Sequence, residues 1–205
     1  MRIDWIRHGE VPGNREGRYV GVTEESLTPE GVRAARALHP AQPEMVFTSP
    51  RLRCRETAEL LYPGVEALVI DELSECDFGA FEYRNYRELQ GNPAYQAWID
   101  SGGRIAFPGG EDRAQFQERC LAGFRRVVEI LTEHGASHAA LVVHGGTIMA
   151  VLDRLSCPHR DYYEWQCGNL SYLVTEYGDG KLFRKDIKKR KKNGENSVKN
   201  NEEVC

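Results

Sequence analysis

No apolar run in this 205-residue chain approaches the length needed to cross a bilayer, which excludes a helical membrane span as its organising feature. The stretch nearest Met1, Ile3 to Ile6, is short and interrupted by Asp4, so a secretory leader is not expected. Cysteine occurs six times (Cys54, Cys76, Cys120, Cys157, Cys167, Cys205), yet in no Cys-x-x-Cys pair and at no regular spacing. That pattern argues against a zinc site or a disulfide framework and points to reduced thiols in a cytoplasmic protein. Internal repeats are also lacking. Basic charge is scarce over most of the length: net charge is -4, but residues 181–205 carry nine Lys and Arg against four Asp and Glu, which leaves the remainder near -9. So acidic a body is a poor nucleic-acid surface, and any attraction for anions must be local and built from particular arginines. Neither a nucleic-acid nor a membrane partner is expected, and a monomer or homodimer suits the size. The run Lys188 to Lys192 in its polar surroundings reads as a solvated, disordered tail. One domain over residues 1–187 and a tail over 188–205 is the expected division.

What is present is an alternation of short apolar runs and amphipathic stretches. Met1 to Ile6 reads as a buried strand that runs into a loop at Arg7-His8-Gly9. Thr28-Pro29 is a helix start, with Thr28 as cap and Pro29 in the first helical position. Glu44 to Thr48 predicts a second strand. Ser49-Pro50 repeats the cap-and-proline signal before a helix to about Leu61, with Arg53 and Thr57 four apart on one face. Ala67 to Ile70 predicts a third strand, and the acidic, aromatic segment Asp71 to Tyr86 a loop over a site. Helices are predicted over roughly Tyr86 to Asp100 and Arg113 to Thr132. Ala139 to Val143 is continuously apolar and too short for a helix, hence a central parallel strand that stops at His144-Gly145-Gly146-Thr147. A helix from Thr147 to Leu155 and two strands joined at Gly178-Asp179-Gly180 complete the pattern. Such alternation implies an α/β fold: an open, mostly parallel sheet with helices on both faces. Ligand sites in such sheets form beyond the carboxyl ends of the strands, where both His-Gly sequences fall.

Arg7-His8-Gly9 puts a cation, a nucleophile or base, and a flexible glycine at the end of a buried strand. His144-Gly145 ends a second one, and Arg53 stands near a helix start. Phosphate calls for planar donors that grip its oxygens in pairs, which arginine supplies, and helix N-terminal amides add to the field. Between arginines, His8 should be held in its neutral form. Either histidine alone reads equally as a satisfied core residue, and Arg51 or Arg55 competes with Arg53. His39, His134, His138 and His159 read as surface or structural, and Tyr19 and Trp165 as packing. A metal centre on His8, His144 and carboxylates is disfavoured by the flanking arginines, so no metal and no cofactor are expected.

Six ordered segments carry a resemblance: IRHGEVPGN (Ile6 to Asn14), GVTEESLTPEG (Gly21 to Gly31), TSPRLRCRETA (Thr48 to Ala58), LSECDFGAFE (Leu73 to Glu82), FPGGED (Phe107 to Asp112) and LVVHGGT (Leu141 to Thr147). Together they resemble the histidine phosphatase superfamily, the phosphoglycerate mutase-like family, over nearly everything up to about residue 185. The resemblance implies that His8 is a nucleophile forming a phosphohistidine. It implies that Arg7, Arg53 and His144 hold the phosphoryl oxygens, that Asn14 and Gly145 assist them, and that Thr23 lines the substrate entrance. Glu75 would be the proton donor, in competition with Asp77, Glu82 and Glu111, and an apolar wall such as Phe78 or Phe81 should raise its pKa. Mutases of the family carry longer insertions before the second histidine, whereas the short interval here, with Pro108-Gly109-Gly110-Glu111, resembles the phosphatases. Gly17 to Gly31 is similar to the α-ribazole phosphatases of cobalamin assembly, apart from Glu25-Ser26 and Glu82-Tyr83 at the substrate rim. A small phosphomonoester is thus the implied substrate. Broad-specificity or sugar phosphatases, a mutase, and a non-catalytic phosphate-binding protein are the alternatives.

Overall fold

The structure is a computed structural model that describes residues 1–185. The expected tail over 188–205 lies outside the described residues. Among the described residues, seven strands form one sheet in the order β3-β2-β4-β1-β6-β7-β5. They are β1 (Arg2–Arg7), β2 (Met45–Thr48), β3 (Ala67–Val69), β4 (His138–Val143), β5 (Ser156–Cys157), β6 (Tyr172–Gly178) and β7 (Lys181–Lys185). The first four strands run parallel, and β6 pairs antiparallel with both β1 and β7. Six α-helices accompany them among the described residues: α1 (Pro12–Arg15), α2 (Pro29–Ala37), α3 (Leu52–Leu61), α4 (Pro93–Asp100), α5 (Arg113–Glu133) and α6 (Gly145–Leu155).

Alternation along the central strands sorts side chains to two faces. Ile3, Trp5, Phe47, Leu141 and Val143 join Phe116, Phe124 and Val127 of α5 and Ile148 and Val151 of α6 in one core. Ile6, Val46, Ala140 and Val142 join Cys54, Ala58 and Leu61 of α3 in the other. Helices therefore cover both faces, as the alternation implied. Trp5 is fully buried, stacks on Phe124 at 5.4 Å, and satisfies its indole N–H on Thr175 Oγ1 at 2.9 Å. Near the amino-terminal end of β1, Asp4 is also fully buried and accepts from Arg2 and Tyr172, with His138 Nε2 3.0 Å away.

Three expectations are corrected. The helix predicted over Tyr86 to Asp100 is α4 alone, because Gly91 sits at φ +80° and Asn92 caps a fresh start, accepting from the amides of Ala94 and Tyr95. Helix α3 starts at Leu52 and not at Pro50: Glu24 accepts from the Leu52 amide at 2.8 Å, while the Ser49 hydroxyl turns to His144. Helix α6 begins two residues earlier than Thr147, with His144 as its cap residue. Thr28 caps α2 as expected, accepting from the Gly31 amide at 2.9 Å. The two-residue strand β5 had no sequence signal.

Candidate active site

Strands β1 and β4 lie side by side with Arg7 opposite Val143, so Arg7-His8 and His144-Gly145 leave the sheet at the same edge. The His8 amide donates to Val143 O at 2.9 Å, which ties the two chain reversals together. A cavity of about 350 Å³ opens there, lined by Arg7, His8, Asn14, Glu75, Gly145 and Gly146. That size is typical of small-ligand sites.

His8 is buried, and its Nδ1 lies 2.7 Å from Gly9 O. A carbonyl oxygen only accepts, so Nδ1 carries the proton and a neutral ring keeps its lone pair on Nε2. Burial, then Arg53 and Arg7, holds the His8 pKa well below its ordinary 6.5. Cation proximity was anticipated; the larger part played by desolvation was not. His144 sits directly behind, its ring edge-on to His8 with centroids 5.2 Å apart. It is fully buried, meets Ser49 Oγ at 2.7 Å, and has its pKa held well below 6.5 by burial, then by Arg53 and His8.

The two arginines differ in surroundings. Arg7 lines the cavity, donates from Nη1 to Cys167 O at 2.6 Å, and lies against the start of α6. Arg53 is fully buried behind the wall, its Nη atoms donating to the carbonyls of Thr23, Val20 and Gly21 at 2.9–3.0 Å. The Nε atoms of both are buried without an acceptor among the described residues. Unmet buried donors are costly, and the one on Arg7, which lines the cavity beside a neutral histidine, is what an anion there would relieve.

Glu75 accepts from the amides of Cys76 at 3.0 Å and Gly146 at 3.1 Å. Burial raises its pKa above the usual 4.5 despite those amides and the arginines. Of the two apolar neighbours expected, Phe78 lines the cavity, whereas Phe81 belongs to the main core. Glycine at position 146 is what lets the carboxyl stand this close: a Cβ there would lie 2.0 Å from Glu75 Oε1. Asn14 Oδ1 is occupied by the amides of Val11 and Asn169, which leaves its NH2 as the end available to a ligand.

Of the sequence-expected residues, Arg7, His8, Asn14, Glu75 and Gly145 line the cavity; Arg53 and His144, both fully buried, stand behind it, and half-buried Thr23 is not part of its lining. Thr23 spends its amide and hydroxyl on Glu82, at 2.9 and 2.7 Å. Asp77 and Glu111, rivals of Glu75 for the acid's place, are absent from the lining, as is Glu82.

Several contributors went unrecognised in the sequence. Asn169 donates to His8 O, Gly9 O and Asn14, and Thr57 accepts from the Gly9 amide at 2.9 Å. Ser49 was read as a helix cap and proves to be the partner of His144. Tyr19, read as packing, does pack, on Phe78 at 5.1 Å and Trp98 at 6.2 Å, but also lines the cavity with them. Phe107, Arg113, Tyr162, Tyr163 and Gln166 extend that wall, while Trp165 lies outside it. Among the described residues no group of three or more His, Cys, Asp or Glu is placed to hold a metal ion, and no helix is long and apolar enough to cross a membrane.

A neutral buried histidine beside arginine, with a high-pKa carboxyl across a small cavity at the end of a parallel sheet, defines an α/β enzyme of the phosphoglycerate mutase-like kind. The model of the histidine phosphatase superfamily (branch 1) matches residues 3–188, and the chain belongs to that family. It is 31% identical over 164 residues to the adenosylcobalamin/alpha-ribazole phosphatase of Escherichia coli K12, covering 76% of this chain and 79% of that one. The α-ribazole phosphatase from Shigella flexneri superposes with a TM-score of 0.79 at 24% identity, over 96% of this chain and 100% of its own, a likeness of fold. A phosphoglycerate mutase from Thermus thermophilus matches with a TM-score of 0.70 at 33% identity, over 91% and 99%.

Proposed function

We propose that the chain hydrolyses a phosphomonoester through a phosphohistidine on His8, without a metal, and that its substrate is α-ribazole 5′-phosphate or a related nucleotide of cobalamin assembly. The observation that carries the chemistry is a pair of opposed groups in one cavity: His8 with its Nδ1 proton on Gly9 O and its pKa pushed down by burial and the arginines, and Glu75 with its pKa pushed up by burial. Groups pushed apart in this way take the parts of nucleophile and acid. His8 Nε2 attacks phosphorus as the P–O bond to the leaving alcohol breaks, and Glu75 gives that oxygen its proton. Water then attacks the phosphohistidine, the P–N bond breaks, and the Glu75 carboxylate takes the water's proton. Arg7 faces the transferring group, and Arg53 and His144 support the field from behind.

The substrate reading rests on the wall opposite. Tyr19, Phe78, Trp98 and Phe107 pack at 5.0–6.3 Å between ring centroids, and the Arg113 guanidinium lies over Tyr162 and Tyr163 at 4.7 and 5.0 Å. Flat apolar faces of this kind suit an aromatic base and offer little to a small carboxylated phosphate such as phosphoglycerate, although one structural relative is named a mutase. The deciding experiment is phosphate release from a panel including α-ribazole 5′-phosphate, 3-phosphoglycerate and sugar phosphates, with EDTA present, for wild type and His8→Ala. Preference for the ribazole ester, an acid-labile phosphoprotein in wild type and an inactive mutant are expected. Equal turnover of all esters would sink the substrate reading. No turnover by wild type would favour a phosphate-binding protein.

A further inference from the structure

We propose that Arg119, closed by Glu111, is a positioning residue that fixes the Glu75 carboxyl where it can protonate the leaving oxygen. The inference rests on the reading of Glu75 as proton donor. Arg119 stands on α5, on the far side of the segment that bears Glu75, and is absent from the cavity lining. Its Nη1 donates to Glu72 O at 2.9 Å and Ser74 O at 3.0 Å, and its Nη2 donates to Glu75 O at 3.1 Å. Nε and Nη2 also grip Glu111 Oε1 and Oε2 at 2.8 and 2.7 Å. A guanidinium has five N–H groups in a rigid fork, and this one spends them all.

Glu111 extends the clasp past the other side of Glu75. Its Oε2 accepts from the Asp77 amide at 3.0 Å, and its own amide donates to Asp77 O at 3.0 Å. Gly110 lets the Pro108–Glu111 turn come this close, since a Cβ there would lie 2.3 Å from Asp77 O. Residues 72 to 77 are thus held from both sides of Glu75 by one ion pair. Contacts from α5 and α6 complete the seat: Thr147 Oγ1 donates to Leu73 O at 3.1 Å, and a Cβ on Gly123 would meet Leu73 Cδ2 at 2.9 Å. The side chain of Glu75 then has little to adjust except its own torsions. Lysine offers three donors from one point and reproduces neither the carbonyl fork nor the grip on Glu111.

A purely structural clasp and a positioning clasp differ in what they do to different leaving groups. An alkyl alkoxide needs a proton as it departs; p-nitrophenolate does not. kcat/KM, which reports the steps through departure of the leaving group, should be measured for an alkyl phosphomonoester and for p-nitrophenyl phosphate in wild type, Arg119→Lys, Glu111→Gln and Glu75→Gln. Arg119→Lys is expected to lose about 10- to 100-fold on the alkyl ester and no more than about 3-fold on the aryl ester, the scale of a misplaced general acid. Glu111→Gln, which keeps the side chain's size, should show the same bias at smaller amplitude, and serves if Arg119→Lys folds poorly. Equal losses on both esters, or none, would overturn the proposal. Glu75→Gln separates the two readings: if it shows the bias and the clasp variants do not, the clasp alone fails. If Glu75→Gln shows no bias, the acid assignment fails and the clasp's role falls with it.

Discussion

Gly146→Ala isolates the position of Glu75 from the stability of the fold. The new Cβ would stand 2.0 Å from Glu75 Oε1, whereas ordinary contact begins at 3.4 Å, so the carboxyl must retreat by about 1.4 Å. The obstacle is the tip of a flexible side chain, and Gly146 lies in the first turn of α6, where alanine gains roughly up to 1 kcal/mol over glycine. Loss of the Gly146 amide bond to Glu75 offsets part of that gain, at about 1 kcal/mol. Thermal unfolding should therefore shift by no more than about 4 °C. Catalysis should suffer more, since a misplacement of about 1 Å in a reacting group costs on the order of 100-fold. Steady-state kinetics on the preferred ester, with calorimetry on the same sample, tests both halves. Gly145→Ala is the control: its Cβ would meet Arg7 Nε at 3.4 Å, and its loss should be at least about ten times smaller. A fully active, stable Gly146→Ala enzyme would refute the claim that the carboxyl acts from where it stands.

Both site histidines have pKa values held well below 6.5 by burial first and by Arg53 next, so the unfolded chain binds more protons than the folded one as pH falls past 6.5. The stability these two groups contribute should thus be complete above pH 6.5 and decline below it, by up to roughly 2.7 kcal/mol per pH unit, partly offset by the raised Glu75 pKa, which acts in the opposite direction. Urea midpoints between pH 7.5 and 5 measure this, and His8→Asn should remove about half the slope. The raised Glu75 pKa has the opposite sign for catalysis: kcat/KM should fall as pH rises through it, and Glu75→Gln should abolish that limb of the profile. Arg7→Ala and Arg53→Ala should each cost on the order of 100-fold in kcat. Arg53→Ala should also cost the more stability, roughly 1–3 kcal/mol for each of the three carbonyls it orphans against the one that Arg7→Ala orphans, read as a lower urea midpoint for Arg53→Ala. Deleting residues 188–205 should leave turnover unchanged in the same assay.

What was legible in the sequence were features that local chemistry enforces. The apolar runs gave β1, β2 and β4 because strands buried on both faces are predominantly apolar, with Asp4 the buried exception in β1. Thr28-Pro29 announced α2 because capping acts within four residues. His8 and His144 could be linked because both follow such strands. Depth was not legible: nothing in the order of residues places Arg53 and His144 behind Arg7 and His8, since that depends on how α3 packs on the sheet. Glu24 capping α3 from another loop, and Asn169 reaching back to His8 and Asn14, are contacts across 28 and 161 positions. Patterns of period two or 3.6 carry no trace of them. The aromatic wall was ambiguous for a different reason, because Tyr19 and Trp98 pack and face the cavity at once.

Tyr19 and Phe78 sit close in sequence to Asn14 and Glu75, but the rest of the wall comes from other parts of the chain than the groups that bear the chemistry. Arg7, His8 and His144 are fixed by the two central strands, whereas Trp98, Phe107, Arg113 and Tyr163 stand on α4, the turn after it, the start of α5 and the segment beyond α6. Evolution can then trade one clientele for another by rewriting peripheral segments while the reaction stays untouched. A designer seeking a new substrate has the same licence, and should redraw residues 92–107 and 160–166 while leaving the turn at Gly110-Glu111 that seats Glu75 and the Cys167 carbonyl that holds Arg7.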